Sequence, residues 1–384
     1  MRIAHIANFY GPTSGGLRTA MHALGEGYLR AGHEVLLIVP GPHDADESTP
    51  YGRRLTLRAP RVPFTGGYRA ITAVRRVRAA LAQFEPDVLE VSDRTTLRSL
   101  GRWALRRGIP SVFFAHERAD GVLASVVPER LRRIVPIRRL ADAHNRGTVR
   151  RFATTVCTTE FAAEEFRRIG LPTRLIPLGV DLERFHPRNR SSRLRAELAP
   201  ADTALLVMAS RLSAEKRPSL AIEAVRELAA AGVDVRLVSA GTGAIEESVR
   251  SLARGLPVTF LGFVPERERV AALLATADVV IAPGPIETFG LAALEALASG
   301  TPVVVNAASA LPEVVGDAGI AARTPEEFAQ AVRTLLAQPE AQRRARARER
   351  AEAFPWSATV QRMLALHDAN LAHMAAVRRA RAGA

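Results

Sequence analysis

The stretch Val279-Val280-Ile281-Ala282-Pro283-Gly284-Pro285-Ile286-Glu287-Thr288-Phe289-Gly290-Leu291-Ala292-Ala293-Leu294-Glu295-Ala296-Leu297-Ala298-Ser299-Gly300-Thr301-Pro302-Val303-Val304-Val305 decides the fold. Val279–Ala282 is an apolar run of the length of a buried strand. Pro283, Gly284 and Pro285 turn the chain into a loop. Leu291–Ala298 is long enough for a helix, Gly300 stops it, and Pro302–Val305 resumes as a strand. A strand, a crossover helix and a second strand make a parallel pair, because parallel neighbours need a long connection that is usually helical.

The alternation extends outward from there. The same half carries strands at Ala204–Ser210, Asp234–Ser239 and Val258–Leu261, with a helix at Pro218–Ala231. The first half carries strands at Arg2–Asn8, Glu34–Val39, Val88–Val91, Ser111–Ala115, Thr155–Thr158 and Arg174–Pro177. Its helices are expected at Gly16–Ala31 and about Arg69–Phe84. Two such runs predict an α/β protein of two Rossmann-like domains with parallel sheets. The break falls in the polar segment Asp181–Ala201, which holds Pro187 and Pro200. Residues 1–183 are assigned to a first domain and 184–355 to a second. Residues 356–384 form a helical segment expected to cross back to the first domain.

At 384 residues and 47% hydrophobic content the chain can build sizeable cores and is not disordered. One cysteine, Cys157, excludes an internal disulfide and a cysteine-rich metal site, which fits a reducing compartment. The N-terminus reads as a strand and not as a signal peptide, and no apolar run is long enough to span a bilayer. A cytoplasmic protein is expected.

The net charge is +14, and 52 of the 53 basic residues are arginine; Lys216 is the only lysine. Residues 1–200 hold 33 basic and 19 acidic residues, whereas residues 201–384 hold 20 of each. Codon bias accounts for arginine over lysine but not for the one-sided charge. A basic half suits phosphate groups on nucleic acid, an anionic membrane or a substrate. Nucleic acid is disfavoured, since aromatics are only 5% and no RNA-binding motif is present.

Gly15 and Gly16 sit at the first strand-to-helix turn, where bare amides can approach an anion. A tight turn without a ligand is the alternative. The loop lacks the G-x-G-x-x-G spacing, and the strand ending at Val39-Pro40-Gly41 lacks the acidic residue that would hold an NAD ribose. No nucleoside-triphosphate loop with its Gly-Lys-Ser/Thr ending is present either.

Three features of the second half carry chemistry. Arg211 and Lys216 bracket the mouth of a helix that Pro218 can start, an arrangement suited to a diphosphate. A solvated turn is the plainer reading, but retaining the single lysine here marks the loop, since lysine is a point charge and arginine a planar fork. Glu287 lies in the loop after a strand and Glu295 about one turn into the next helix. Their carboxylates can accept sugar and ribose hydroxyls, while the amides of Phe289, Gly290 and Leu291 face a phosphate; a helix cap with a solvated glutamate is the alternative. Leu261-Gly262-Phe263-Val264-Pro265 can present backbone groups to a base edge.

These residues resemble the retaining glycosyltransferases of the GT-B fold, family 4. The resemblance rests on the Glu287…Glu295 and Arg211…Lys216 spacings and on the Gly15-Gly16 loop. It is supported by Pro177-Leu178-Gly179-Val180-Asp181, Arg184-Phe185-His186-Pro187 and Ala296-Leu297-Ala298-Ser299-Gly300-Thr301-Pro302-Val303-Val304. It covers nearly the whole chain. Residues 7–20, Pro63-Phe64-Thr65-Gly66-Gly67-Tyr68-Arg69, Glu90-Val91-Ser92-Asp93-Arg94-Thr95-Thr96-Leu97 and Val156-Cys157-Thr158-Thr159 are similar to actinobacterial mannosyltransferases acting on phosphatidylinositol mannosides.

The resemblance implies two parallel-sheet domains facing across a cleft, with a nucleotide sugar, here GDP-mannose, on the second domain and a glycolipid acceptor entering from the first. Arg211 and Lys216 then hold the diphosphate, Glu287 the sugar hydroxyls beside Phe289 and Gly290, and Glu295 the ribose. Val264 meets the base, Gly15 and Gly16 close over the phosphates, and His116 points into the cleft. Cations and amides placed around the leaving diphosphate lower the barrier. Retention follows either from double displacement on a carboxylate or from front-face attack. The sequence is read as showing no D-x-D metal motif, so no metal and no further cofactor is expected.

The acceptor side is read from Arg69, Arg75, Arg76 and Arg78, which share a helical stretch with Ile71, Val74, Val77, Leu81 and Phe84. A basic amphipathic helix suits an anionic membrane surface; a packed helix with a solvated arginine face is the alternative. Arg130, Arg132, Arg133, Arg138 and Arg139 form a second cluster. A peripheral enzyme at the inner face of the plasma membrane is the expectation. The alternatives are a family 4 enzyme using a UDP-sugar with a soluble or cell-wall-precursor acceptor, and a catalytically inactive sugar-binding protein.

Overall fold

A computed structural model describes residues 1–11, 15–63, 65 and 67–382. Residues 12–14 of the glycine loop, Phe64 and Gly66 of the quoted stretch, and residues 383–384 lie outside the described residues. The chain divides into two compact units, Met1–Gly179 with the segment from Trp356 onward, and Val180–Pro355.

The first unit is an eight-stranded sheet built from β1 (Arg2–Ala7), β2 (Glu34–Gly41), β3 (Ala45–Thr49), β4 (Gly52–Arg58), β5 (Val88–Ser92), β6 (Ser111–Ala115), β7 (Thr154–Cys157) and β8 (Arg174–Leu175). The order is β3-β4-β2-β1-β5-β6-β7-β8, parallel except for the β3/β4 hairpin. Ala4, Ile6, Leu89, Val91 and Phe113 pack on one face against Val77 and Leu81 of the helix Val74–Phe84 and against Leu100 and Trp103. Alternation places His5, Glu90 and Ser92 on the opposite face.

Two sequence expectations change here. The β3/β4 hairpin was not foreseen, because an edge pair with exposed Asp46, Glu47 and Arg53 lacks the apolar run of a buried strand. The expected helix at Arg69–Phe84 begins only at Val74. Before it, Arg69 bridges Arg61 in extended backbone, and the Ile71 amide donates to Asn8 Oδ1 at 2.7 Å.

The second unit is an all-parallel six-stranded sheet of β9 (Ala204–Ala209), β10 (Val235–Ala240), β11 (Val258–Gly262), β12 (Val279–Ala282), β13 (Val303–Asn306) and β14 (Gly319–Ala322). The order is β11-β10-β9-β12-β13-β14. Helix Pro218–Ala230 packs with Pro325–Leu336 over Leu206, Leu237, Ile281 and Val304. Helix Leu291–Ala298 packs instead with Arg267–Thr276 and Glu340–Glu352.

The terminal helix Trp356–Ala382 belongs to the first unit, where it packs along the helix Gly16–Arg30. Thr154 Oγ1 donates to Asn370 Oδ1 at 3.0 Å, and Thr359 Oγ1 to the Pro177 carbonyl at 2.9 Å. Gly27 allows the close approach, since a Cβ there would lie 2.3 Å from Val360 Cγ2. Gly27→Ala should therefore destabilise the protein by about 2 kcal/mol through overpacking, despite alanine's better helix propensity. Adding Val360→Ala should restore most of it; chemical denaturation of the two variants checks this.

Candidate active site

In an open parallel sheet, ligands bind outside the carboxyl ends of the strands where the strand order reverses. In the second unit that point lies between β9 and β12, the first strand having β10 and β11 on one side and β12 to β14 on the other. Strand β9 feeds Ser210–Arg217, and β12 feeds Pro283–Gly290. These are the two loops that carry Arg211, Lys216 and Glu287.

The loops meet across the switch point. Lys216 Nζ donates to Glu287 Oε1, with both side chains about a quarter exposed. Gly284 lies beside both loops: a Cβ there would make ordinary contact, 3.5 Å from Lys216 Cα and from Glu287 Oε1. Arg211 pairs with Glu215 at 3.1 Å, and Ser213 Oγ donates to the same carboxylate at 2.6 Å. Burial raises the Glu215 pKa, but Ser213 and the two cations outweigh it and hold the carboxyl below its ordinary value. Arg217 adopts a left-handed conformation, φ 46°, which turns the chain sharply into Pro218 at the first position of the next helix.

On the β12 side, Asn306 Nδ2 donates to the Pro283 carbonyl at 2.9 Å, and the Ala310 amide to the Glu287 carbonyl at 2.9 Å. Gly290, φ 81°, is the N-cap of Leu291–Ala298 and has no side chain with which to cap that helix. Phe289 is buried edge-on against Phe354. Glu295 is almost wholly buried and accepts from Arg267 Nη2 at 2.6 Å. Burial raises its pKa, and Arg267 opposes that shift. Val264 is half-buried, two residues beyond Gly262 at the end of β11, beside the half-exposed Phe263.

Gly15, Gly16 and His116 lie in the first unit. Its sheet reverses between β1 and β5, and there Asn8 Nδ2, after β1, donates to Thr96 Oγ1, after β5, at 2.8 Å. Gly15 is the N-cap of Gly16–Arg30 with an ordinary φ of −72°. Among the described residues nothing lies within 4 Å of a Cβ at Gly15 or Gly16. His116 follows β6, stacked on Phe114 with its Nε2 2.8 Å from Ser92 Oγ. Burial, then the neighbouring His5, push its imidazole down to about 3.

Two corrections concern charged residues. The triplet Asp44-Ala45-Asp46 does have D-x-D spacing, but Asp46 pairs with Arg53 at 2.6 Å and Asp44 with Arg76 at 3.0 Å. The Val74–Phe84 helix keeps its apolar side in the core. Arg69 precedes that helix and donates to the Ala59 carbonyl, Arg78 is partly buried, and Arg75 is exposed. Sequence reasoning also missed the partners: Glu215, Arg267, Asn306, and the buried His5 and Glu90. A histidine and a glutamate inside otherwise apolar strands were the available signal.

Comparison with known proteins then places the chain. Residues 14–184 match the model of Glycosyltransferase Family 4, and residues 190–354 that of Glycosyl transferases group 1. The chain is 50% identical over 369 residues, 95% of each chain, to a GDP-mannose-dependent alpha-(1-6)-phosphatidylinositol dimannoside mannosyltransferase of Mycobacterium tuberculosis. Among solved structures, sucrose-phosphate synthase from Thermosynechococcus elongatus superposes with a TM-score of 0.78 at 24% identity, covering 97% of this chain and 99% of that one. Anabaena Alr3699/HepE in complex with UDP and glucose gives 0.72 at 18% identity, covering 96% and 100%. The chain belongs to glycosyltransferase family 4 and is a glycosyltransferase of the GT-B fold.

Proposed function

We propose that this glycosyltransferase moves mannose from GDP-mannose to a phosphatidylinositol mannoside, as the name of its mycobacterial relative says of that enzyme. The observation that carries the donor site is the Lys216–Glu287 contact across the β9/β12 switch point. A pair this exposed is worth on the order of 1 kcal/mol. A diphosphate can therefore take over Lys216, with Arg211 as second cation, and release Glu287 to the sugar hydroxyls. The amides at Gly290 and Leu291 add a helix N-terminus to the phosphate side. As the glycosidic bond breaks, charge grows on the leaving diphosphate, and these groups are already in place to stabilise it. Glu295, Val264, Gly15, Gly16 and His116 take the roles implied by the family resemblance, and the transfer needs no divalent metal.

The acceptor side moves from the Val74–Phe84 helix to the segment 119–140. Val122, Leu131, Ile134 and Leu140 are exposed large apolar residues, and Ile134 is 78% exposed. Exposed Arg130, Arg132, Arg133, Arg138 and Arg139 lie in the same segment. Apolar tips among cations match an anionic bilayer, where the tips insert and the arginines meet headgroups. Among the described residues no helix is long and apolar enough to cross a membrane, so the attachment proposed is peripheral.

Three outcomes are expected. In thermal shift with GDP-, UDP- and ADP-sugars, GDP-mannose alone should stabilise the protein. Lys216→Ala should cut turnover by about a hundredfold or more, against little change for Arg75→Ala; wild-type turnover in the lysine variant would contradict the donor site. In liposome flotation the chain should bind anionic and not neutral vesicles, and Leu131→Asp with Ile134→Asp should weaken that by about tenfold or more. Equal, negligible binding to both vesicle types would favour a soluble acceptor.

A further inference from the structure

Arg267 opens the helix Arg267–Thr276, directly after the N-cap Glu266. The positive end of a helix favours acids and repels cations, so a cation at this position needs a partner. The partner is Glu295, whose Oε1 accepts from Arg267 Nη2 at 2.6 Å. The guanidinium also lies over the ring of the buried Phe185, 4.9 Å from its centroid. Phe185 belongs to the stretch Arg184-Phe185-His186-Pro187, which none of the roles above uses. That ring is fixed by its backbone: the Phe185 amide donates to the Asp181 carbonyl at 2.9 Å, and Arg348 Nη1 donates to the Phe185 carbonyl at 3.0 Å. All these residues lie in the second unit.

We propose that Arg267, clamped on Phe185, is a positioning residue for the donor: it occupies Oε1 of Glu295, keeps that carboxylate charged, and leaves Oε2 to accept a ribose hydroxyl. This rests on the reading that Glu295 holds the donor ribose. The Glu295 side chain is only 10% exposed. A carboxylate so far from water gives up its charge unless a partner compensates it. Among the described residues Arg267 is the one cation hydrogen-bonded to this carboxylate, and Oε2 accepts no hydrogen bond. Protonation would turn a carboxylate oxygen into a donor and lose the charge-assisted bond to the hydroxyl.

The surrounding charges do not replace Arg267. Burial raises the Glu295 pKa and Arg267 opposes it most; Arg184 lowers it further and Asp181 raises it. Those two are paired with each other at 3.3 Å, and Arg184 also meets Glu268 at 3.5 Å. On the packed helix Glu340–Glu352, Arg348 pairs with Glu352 at 2.8 Å and donates to the Ala298 carbonyl at 2.9 Å. Arg344 pairs with Glu340 at 2.8 Å. The short helix Leu311–Val315 contributes one acid, Glu313, and no cation. Without Arg267 the effect of burial would stand nearly unopposed, and the carboxyl would titrate at higher pH.

Carbon-13 NMR of the full chain with labelled glutamate follows the Glu295 carboxyl without nucleotide, the signal being assigned with Glu295→Gln. Calorimetry follows GDP binding over the same pH range. Arg267→Met should move the Glu295 titration to higher pH, and Arg267→Lys, which keeps the charge, should restore most of it. The charged form accepts the ribose, so GDP affinity should fall as pH falls, and in Arg267→Met the fall should begin at higher pH than in wild type. Glu295→Gln should bind GDP about tenfold more weakly, the worth of one hydrogen bond to a charged group, and adding Arg267→Met to it should change nothing further. An unmoved Glu295 titration in Arg267→Met would overturn the proposal. So would a further loss of affinity in the double variant, which would put Arg267 on the nucleotide itself. The predicted titrations with wild-type GDP affinity in Glu295→Gln would overturn the ribose reading alone.

Discussion

Reversal of winding direction at β9/β12 is the constraint on which the donor unit depends. The helix after β9 packs with Pro325–Leu336, and the helix after β12 packs with Glu340–Glu352 and Arg267–Thr276. The two loops therefore part above the sheet edge, and something must hold the opening in register. The Lys216–Glu287 contact does so across the gap. Because the pair is partly exposed, it holds the loops without locking them.

Charge follows the two units more sharply than it follows the two halves of the sequence. The unit 1–179 with 356–384 holds 32 basic and 17 acidic residues, and the unit 180–355 holds 21 and 22. In the second unit cations are balanced by acids, and many are paired with carboxylates, as Arg211 with Glu215, Lys216 with Glu287 and Arg267 with Glu295. In the first they are in excess, and several share acids, as in the Arg118, Arg168, Asp120, Asp142 and Glu164 network. The segment 130–139 is where exposed arginines and exposed apolar side chains coincide.

The parallel strands were legible because burial on both faces writes continuous apolar runs such as Leu205–Met208 and Val303–Val305. The polar edge hairpin Ala45–Arg58 was not, since exposure removes that signal. Arg211, Lys216 and Glu287 were legible from their place after strands. Their partners were not, since contacts such as Arg267 to Glu295 and Asn306 to Pro283 depend on which loops the topology brings together. The apolar set of the Val74–Phe84 helix had membrane-like spacing, but periodicity cannot say whether lipid or a core covers it. Here Leu57, Leu97 and Leu100 share its core.

The claim that the two loops act as one donor cradle is tested most directly by a double-mutant cycle on GDP affinity, with Lys216→Met, Glu287→Gln and the double variant titrated by calorimetry. The account predicts strong non-additivity: Glu287→Gln changes affinity in the presence of Lys216 and hardly at all without it. Additive effects within about 0.3 kcal/mol would contradict it.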